Sequence, residues 1–392
     1  MRIKKEVRKI VASVLAFLMV VSLIPVNSLM TKANAASKTT FEGGKTVEDG
    51  TWKGWTWNVF GSSTDVTKAF ATDTGNGGVT LEVTGDKGKI NGSASDQGLN
   101  TFLYELDKSY DFTITAQAKV DTLAANAQAA FGLTIRDNVG AHGNTAKLTA
   151  DKNNFAFVGG YGNQAASGHG NAGYKTTALA HTRLGESPEV GGTYDLAIQK
   201  VGDSVKLYFN GEVAAECSAD DLITDNAMYV GLFAARNAKV TFNNVKLAYT
   251  QDSSSVKVTT NVTAPKKTTY CAGNTYEDVD LTGFKATVSV DGKEREITAS
   301  DCVVDMSNDP FAEVTDAGKL TLLYLGQTIE VPITVIKEVV SDMYIEYMPV
   351  KTDYMVTDTA LDFTGLVGKV VYNSGRTFDL KTLIDSNDTN TK

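Results

Sequence analysis

Phe112-Thr-Ile-Thr-Ala-Gln-Ala-Lys-Val120 decides the fold class. Phe112, Ile114, Ala116, Ala118 and Val120 fall on one face of an extended chain and Thr113, Thr115, Gln117 and Lys119 on the other, which predicts a strand with one buried side. Phe131-Gly-Leu-Thr-Ile-Arg-Asp137 repeats the parity: Phe131, Leu133 and Ile135 turn inward, Thr134 and Arg136 outward. Working outward from this pair, further strands are expected at Thr80 to Val83, Asn154 to Gly159, Thr193 to Lys200, Val205 to Asn210, Tyr229 to Ala235 and Lys239 to Tyr249. Val201-Gly-Asp-Ser204 joins two of them, and Asn210-Gly211 is a strong hairpin signal because both residues tolerate positive φ. Many strands with one apolar face each, and no sustained helical period, predict two sheets packed face to face.

The whole chain has 392 residues, 35 of them glycine and only 6 proline, a balance that favours strands and turns. Residues 1–35 have the three-part build of a secretory signal peptide. Arg2, Lys4, Lys5, Arg8 and Lys9 precede an apolar run of 15 residues, Ile10 to Ile24, and Ala33-Asn34-Ala35 fits the cleavage pattern. The run is short for a membrane span, which needs about 20 residues. Secretion, with no membrane span after cleavage, is therefore expected. Without the leader's six basic residues and one acidic residue, the balance is 31 basic against 45 acidic, a net charge of −14. Such a surface repels nucleic acid.

The runs Val205-Lys-Leu-Tyr-Phe-Asn-Gly-Glu-Val213 and Met228-Tyr-Val-Gly-Leu-Phe-Ala-Ala-Arg-Asn-Ala-Lys-Val-Thr-Phe-Asn-Asn-Val245 resemble the last hairpins of concanavalin A-like jelly rolls. More narrowly, they resemble the laminin-G-like modules of secreted bacterial proteins that act on plant polysaccharides, pectin-degrading lyases among them. Trp55-Thr-Trp57 with Phe60-Gly61 fits the same resemblance, which covers residues 36–250. It implies a polysaccharide partner, plant cell-wall or pectic, and a structural calcium ion with Glu42 and Asp49 as possible oxygen ligands.

Residues 251–256 read as a polar linker, and beyond them the chain repeats itself. Pro265-Lys-Lys-Thr-Thr-Tyr270 matches Pro349-Val-Lys-Thr-Asp-Tyr354, Leu281-Thr-Gly283 matches Phe363-Thr-Gly365, and Gly292 matches Gly375, at offsets of 84, 82 and 83 residues. Both repeats, 257–338 and 339–392, resemble bacterial immunoglobulin-like domains. The first is complete, with strands at Phe284 to Val290, Lys319 to Tyr324 and Thr328 to Val335. The second is expected to lack its closing strands, which would leave open edges and half a core. The overall expectation is all-β: a jelly-roll β-sandwich followed by one complete and one truncated immunoglobulin-like β-sandwich.

Motifs for catalysis are sparse. The hydrolases of the concanavalin A-like class carry Glu-x-Asp-x-x-Glu on one strand, so that two carboxylates flank the bond to be cut. Here Glu105-Leu-Asp107 is followed by Tyr110 where the last carboxylate belongs, and the segment reads as a strand edge. His142, His169 and His181 lack ligand spacing. Cys271 and Cys302 could close a disulfide loop, leaving Cys217 as a buried thiol.

A binding surface is the better expectation. Gly159 to Tyr174 reads as a long loop that interleaves Tyr161, His169 and Tyr174 with amides, the mixture a sugar needs. Arg136, with Arg183 and Arg236 near the same rim, would suit the carboxylate of a uronate. Trp55 and Trp57 read as core, with Trp52 the freer ring. The expected protein is a secreted, non-catalytic carbohydrate-binding surface protein with immunoglobulin-like spacers. The alternatives are the N-terminal accessory region of a polysaccharide-degrading enzyme such as a pectate lyase, with its catalytic domain beyond Lys392, and a cell-surface adhesin.

Overall fold

In the eight-stranded sheet the spatial order is β1 (Thr39–Thr40), β3 (Ala69–Gly75), β4 (Gly78–Val83), β15 (Ala238–Thr250), β6 (Asp111–Leu123), β11 (Thr193–Val201), β12 (Ser204–Phe209) and β13 (Glu212–Ser218). The seven-stranded sheet runs β10 (Leu179–Thr182), β9 (Gly170–Lys175), β8 (Phe155–Tyr161), β7 (Ala130–Arg136), β14 (Ala227–Ala235), β5 (Leu99–Asp107) and β2 (Trp55–Phe60). The structure is a computed structural model that describes residues 39–61, 64–90, 97–146, 148, 153–162, 170–175, 179–184, 188–356, 360 and 362–385. The expected leader and His169 lie outside the described residues.

The two sheets pack face to face on the residues that alternation assigns to the inside: Ile114, Phe131, Leu133, Ile198, Leu207 and Leu232 all belong to one buried cluster. The result is an all-β jelly-roll sandwich. Trp55 and Trp57 are part of that cluster, as expected, because their shared parity on β2 turns both indoles inward. Trp55 stacks on Phe102 at 5.3 Å, and the Trp57 indole N–H donates to Asn100 Oδ1 at 2.7 Å. The Asn100 amide in turn donates to the carbonyls of Phe70 and Glu82, so one buried side chain ties β5 to β3 and β4 in the opposite sheet. Trp52 corrects the expectation of a freer ring. It is only 4% exposed and meets Trp55 edge-on at 5.6 Å, closing the end of the same aromatic stack.

Within the seven-stranded sheet, Gly132 and Gly159 are register partners. A Cβ on either would lie 1.9 or 2.1 Å from the facing Val158 or Phe131 carbonyl oxygen, an approach only glycine permits. Gly159 to Tyr161 are the end of β8, and Gly170 to Tyr174 belong to β9, which pairs with β8. The described ends of the expected long loop, Gly159 to Tyr161 and Gly170 to Tyr174, are therefore strands of one hairpin, and 163–169 lie outside the described residues. Glu105 and Asp107 sit at the end of β5 beyond its pairing with β2, which stops at Tyr104, so they pair only with β14 and are exposed, in line with the strand-edge reading.

Residues 257–336 form a second sandwich. Its three-stranded sheet is β16 (Lys257–Thr263), β18 (Lys285–Val290) and β19 (Lys293–Thr298). Its four-stranded sheet is β17 (Thr269–Cys271), β22 (Gln327–Ile336), β21 (Thr315–Tyr324) and β20 (Val303–Asp305), and Val288, Leu320, Leu322 and Val331 lie in the core between them. The segment read as a linker is a 3-10 turn over Ser253–Ser255, capped by Asp252 and held by Gln327 Nε2 on the Ser253 carbonyl.

A third sheet, β23 (Val340–Tyr347), β24 (Val367–Tyr372) and β25 (Thr377–Asp379), has the strand order of β16, β18 and β19, and β24 lies 82 residues after β18. The internal repeat extends to side chains. Tyr270 Oη bonds the backbone N–H and carbonyl of Asp280, as Tyr354 Oη does for Asp362. Lys267 and Lys351 each stand 4.6 Å over the matching ring. Among the described residues only Val370 and Tyr372, with Val340 and Leu380 against them, form a buried cluster in this last repeat. Met343, Ile345 and Tyr347 are 57–63% exposed.

Candidate functional site

Arg136 does face out from the seven-stranded sheet, but it does not reach solvent. Its side chain is completely buried, covered among the described residues by Gln97, Asn138 and Asn153. Nη2 donates to Gln97 Oε1 at 2.6 Å and Asn153 Oδ1 at 2.9 Å, and Nε donates to the Asn138 carbonyl at 3.2 Å. The guanidinium stands 5.0 Å over Phe155 and 5.6 Å from the Phe60 ring. Burial lowers its pKa to about 10 and pushes the neighbouring Asp137 carboxyl up to about 6, against the pull of Arg136. Arg136 is thus an internal tie between sheet and loops, which corrects its placing on a solvent-facing rim. Alternation predicted its direction, but the cover is a long-range event.

The other expected contacts do not converge. Tyr161 packs with Phe157 in the loop-covered cluster on the outer side of the seven-stranded sheet, whereas Tyr174 packs against the inter-sheet core. They lie on opposite faces because β8 and β9 carry them at opposite parity. Arg236 donates from Nε to the Gly88 carbonyl at 3.1 Å, and Arg183 is exposed beyond β10. Cys271 and Cys302 are both free thiols, contrary to the expected pairing. Cys271 Sγ contacts Asn373 Oδ1 and Cys302 Sγ the Thr298 carbonyl. Burial pushes Cys302 and Cys217 up to about 12, so neither is poised as a nucleophile. Among the described residues no group of three His, Cys, Asp or Glu side chains could hold a metal ion, and Glu42 forms an ion pair with Lys45.

The open concavity lies on the outer face of the other sheet, where the second sandwich leans on the jelly roll. Thr113, Thr115 and Gln117, the polar parity of the decisive strand, point here. Thr115 Oγ1 donates to the Ser300 carbonyl at 2.6 Å, and Thr113 Oγ1 accepts from the Leu325 backbone N–H at 3.0 Å. The Met306 N–H donates to the Gly211 carbonyl at 2.9 Å. Ala197, Tyr208 and Val303 form a small apolar cluster across the junction. Beside these contacts a cleft of about 560 Å³ remains, within the size range of small-ligand sites.

The floor of the cleft is built by register. Asp195 of β11 lies opposite Gln117 of β6, and Ala197 lies opposite both Thr115 and Tyr208. Asp195 is held from several sides: Gln117 Nε2 donates to Oδ1 at 3.3 Å, Tyr276 Oη donates to Oδ2 at 2.9 Å, and the Asp195 N–H donates to Asn210 Oδ1 at 2.9 Å. Gly211 makes room for Tyr276, whose Cδ2 would lie 2.7 Å from a Cβ at that position. Burial and the Asp195 carboxylate keep the Tyr276 phenol protonated, with its pKa raised. The arrangement offers fixed hydrogen-bonding groups around a concave space. Sequence reasoning missed it because the cleft needs Gln117, Asp195 and Tyr276, which lie far apart in the chain.

No family model matches the chain. It is 29% identical over 327 residues to pectate lyase L of Thermoclostridium stercorarium, an alignment that covers 82% of this chain and 24% of that protein. The chain thus spans about a quarter of that relative's length. Among solved structures it is similar to the carbohydrate-binding module CBM66 from Bacillus subtilis (17% identity, 53% of this chain and 98% of that one, TM-score 0.30). It is also similar to the lectin UEA-II complexed with galactose (12% identity, 54% and 97%, TM-score 0.33) and to the family 7 alginate lyase AlgAT5 (12% identity, 46% and 82%, TM-score 0.30).

Proposed function

We propose that this chain is a secreted, non-catalytic polysaccharide-binding region that serves pectin-type polysaccharide degradation, with the jelly roll and the first repeat forming the binding unit together. The observation that carries the reading is the cleft over β6 and β11, where Asp195, Gln117 and Asn210 are pre-oriented by one another and by Tyr276. Fixed polar groups in a ready-made concavity bind sugar hydroxyls without the entropic cost of ordering them first. The 29% identity to pectate lyase L over most of the chain supports a role beside a polysaccharide-degrading enzyme rather than in adhesion to another cell. The two repeats act in this reading as immunoglobulin-like spacers, the first also lining the cleft.

In this reading the chain binds rather than cleaves, and the fixing of Asp195 by Gln117 and Tyr276, which donate to its two oxygens, supports it as a set acceptor for hydroxyls. The test is affinity electrophoresis and calorimetry of the full chain against polygalacturonate, galactan, arabinan and xylan. Retardation by at least one of them, lost in Gln117→Ala, is expected. Free migration through every polysaccharide would refute the proposal.

A further inference from the structure

We infer that the cleft selects an uncharged glycan, such as the neutral side chain of a pectic polysaccharide, and rejects uronate. This rests on the proposed polysaccharide-binding role and names its ligand class, reversing the sequence-based expectation of an acidic sugar. The lining contains two carboxylates, Asp195 and Glu277, and no lysine or arginine. Arg136 and Lys175, which would suit a uronate, are buried on the other sheet beneath the loops. A polyanionic segment would lose hydration against a lining that offers no cation and faces it with like charge, the exposed Lys119 beside Thr193 lying outside that lining.

A neutral sugar meets complementary groups instead. Gln117 spends Nε2 on Asp195 and keeps Oε1 for a hydroxyl, and Asn210 accepts through Oδ1 and keeps Nδ2. The Asp195 carboxylate has lone pairs beyond the two bonds it accepts, enough to take protons from vicinal hydroxyls. Hydroxyl groups both donate and accept, so this mixed array satisfies them where a row of carboxylates would not be satisfied. Burial, then Asp305 and Glu216, raise the pKa of Tyr208 as burial and Asp195 raise that of Tyr276, so both phenols remain neutral.

The experiment is calorimetry of the full chain with two probes of similar length, β-1,4-galactohexaose and penta-galacturonate, in 150 mM salt. The galactan oligomer is expected to bind at least tenfold more tightly. Gln117→Ala and, at an exposed position on the cleft mouth, Thr193→Trp should each weaken it at least tenfold, with unchanged circular dichroism. Glu277→Gln, on the exposed side of the lining, should strengthen penta-galacturonate binding. Tighter binding of penta-galacturonate that is lost in both cleft variants overturns the ligand class while leaving polysaccharide binding intact. Binding of neither probe, nor of any of the four polymers, removes the binding role and the inference with it. Galactohexaose binding unchanged by both cleft variants overturns the assignment to this cleft.

Discussion

Replacing Arg136 by methionine separates an internal tie from a ligand contact. The substitution keeps most of the side chain's length and removes three hydrogen bonds, to Gln97 Oε1, Asn153 Oδ1 and the Asn138 carbonyl, together with the cation over Phe155. It also leaves the buried Asp137 carboxylate without its nearest opposite charge. Breaking a buried, hydrogen-bonded charge interaction by removing one partner costs about 3–5 kcal/mol. Each acceptor stranded without water adds to that, while methionine recovers part through apolar burial, so we expect a net loss of about 4 kcal/mol. For a unit of this size, 1 kcal/mol corresponds to roughly 2–4 °C, so the melting temperature should fall by roughly 8–16 °C. Tryptophan fluorescence reports it directly, since Trp52, Trp55 and Trp57 all lie in the jelly-roll core. At a temperature where the variant is still folded, glycan affinity should match the parent within threefold. A variant of parental stability that no longer binds polysaccharide would refute the structural role and return Arg136 to the ligand.

Three further outcomes follow from the same physical picture. Asn100→Ala strands the Trp57 indole N–H and two carbonyls inside the sandwich, and chemical denaturation should register a loss of about 3 kcal/mol; a change below 1 kcal/mol would refute the inter-sheet tie. Asp137, with its folded pKa raised to about 6 chiefly by burial, holds its proton in the folded state after the unfolded chain has lost it. Its contribution is therefore fully present below about pH 4 and is lost as pH rises through 6, on the order of 3 kcal/mol. Unfolding curves from pH 4 to 7 should steepen this fall in the parent and flatten it in Asp137→Asn, and parallel curves for the two would count against it. Cys217, Cys271 and Cys302 should titrate as three thiols in denaturant and react slowly with a thiol reagent in the folded chain at pH 8; a single titratable thiol under denaturing, non-reducing conditions would show the pairing that the structure excludes.

The order of strands was largely legible. β6, β7, β11, β12, β14, β15, β18, β21 and β22 occur at the predicted places, because alternation is a local property that a single strand displays. β3, β5 and β9 were harder to read. Leu99 to Asp107 carries Asn100 and Thr101 instead of clean alternation, since its inward Asn100 is a hydrogen-bonding tie rather than an apolar contact. The two repeats were legible through repetition: Pro-x-Lys-Thr-x-Tyr and x-Thr-Gly mark a lysine-over-tyrosine latch that the structure shows twice.

The sequence by itself determined that Thr113, Thr115 and Gln117 share one side of a strand, that Arg136 points away from the inter-sheet core, and that Trp55 and Trp57 point into it. Only the tertiary structure decided what covers each outward face. Gln97, Asn138 and Asn153 help to bury Arg136, while the second sandwich stops short of burying Gln117 and Asp195 and leaves a cleft. Side-chain direction follows from φ and ψ within a few residues, whereas burial depends on which distant segment arrives. In this chain, that difference moves the proposed binding site from the arginine to the cleft.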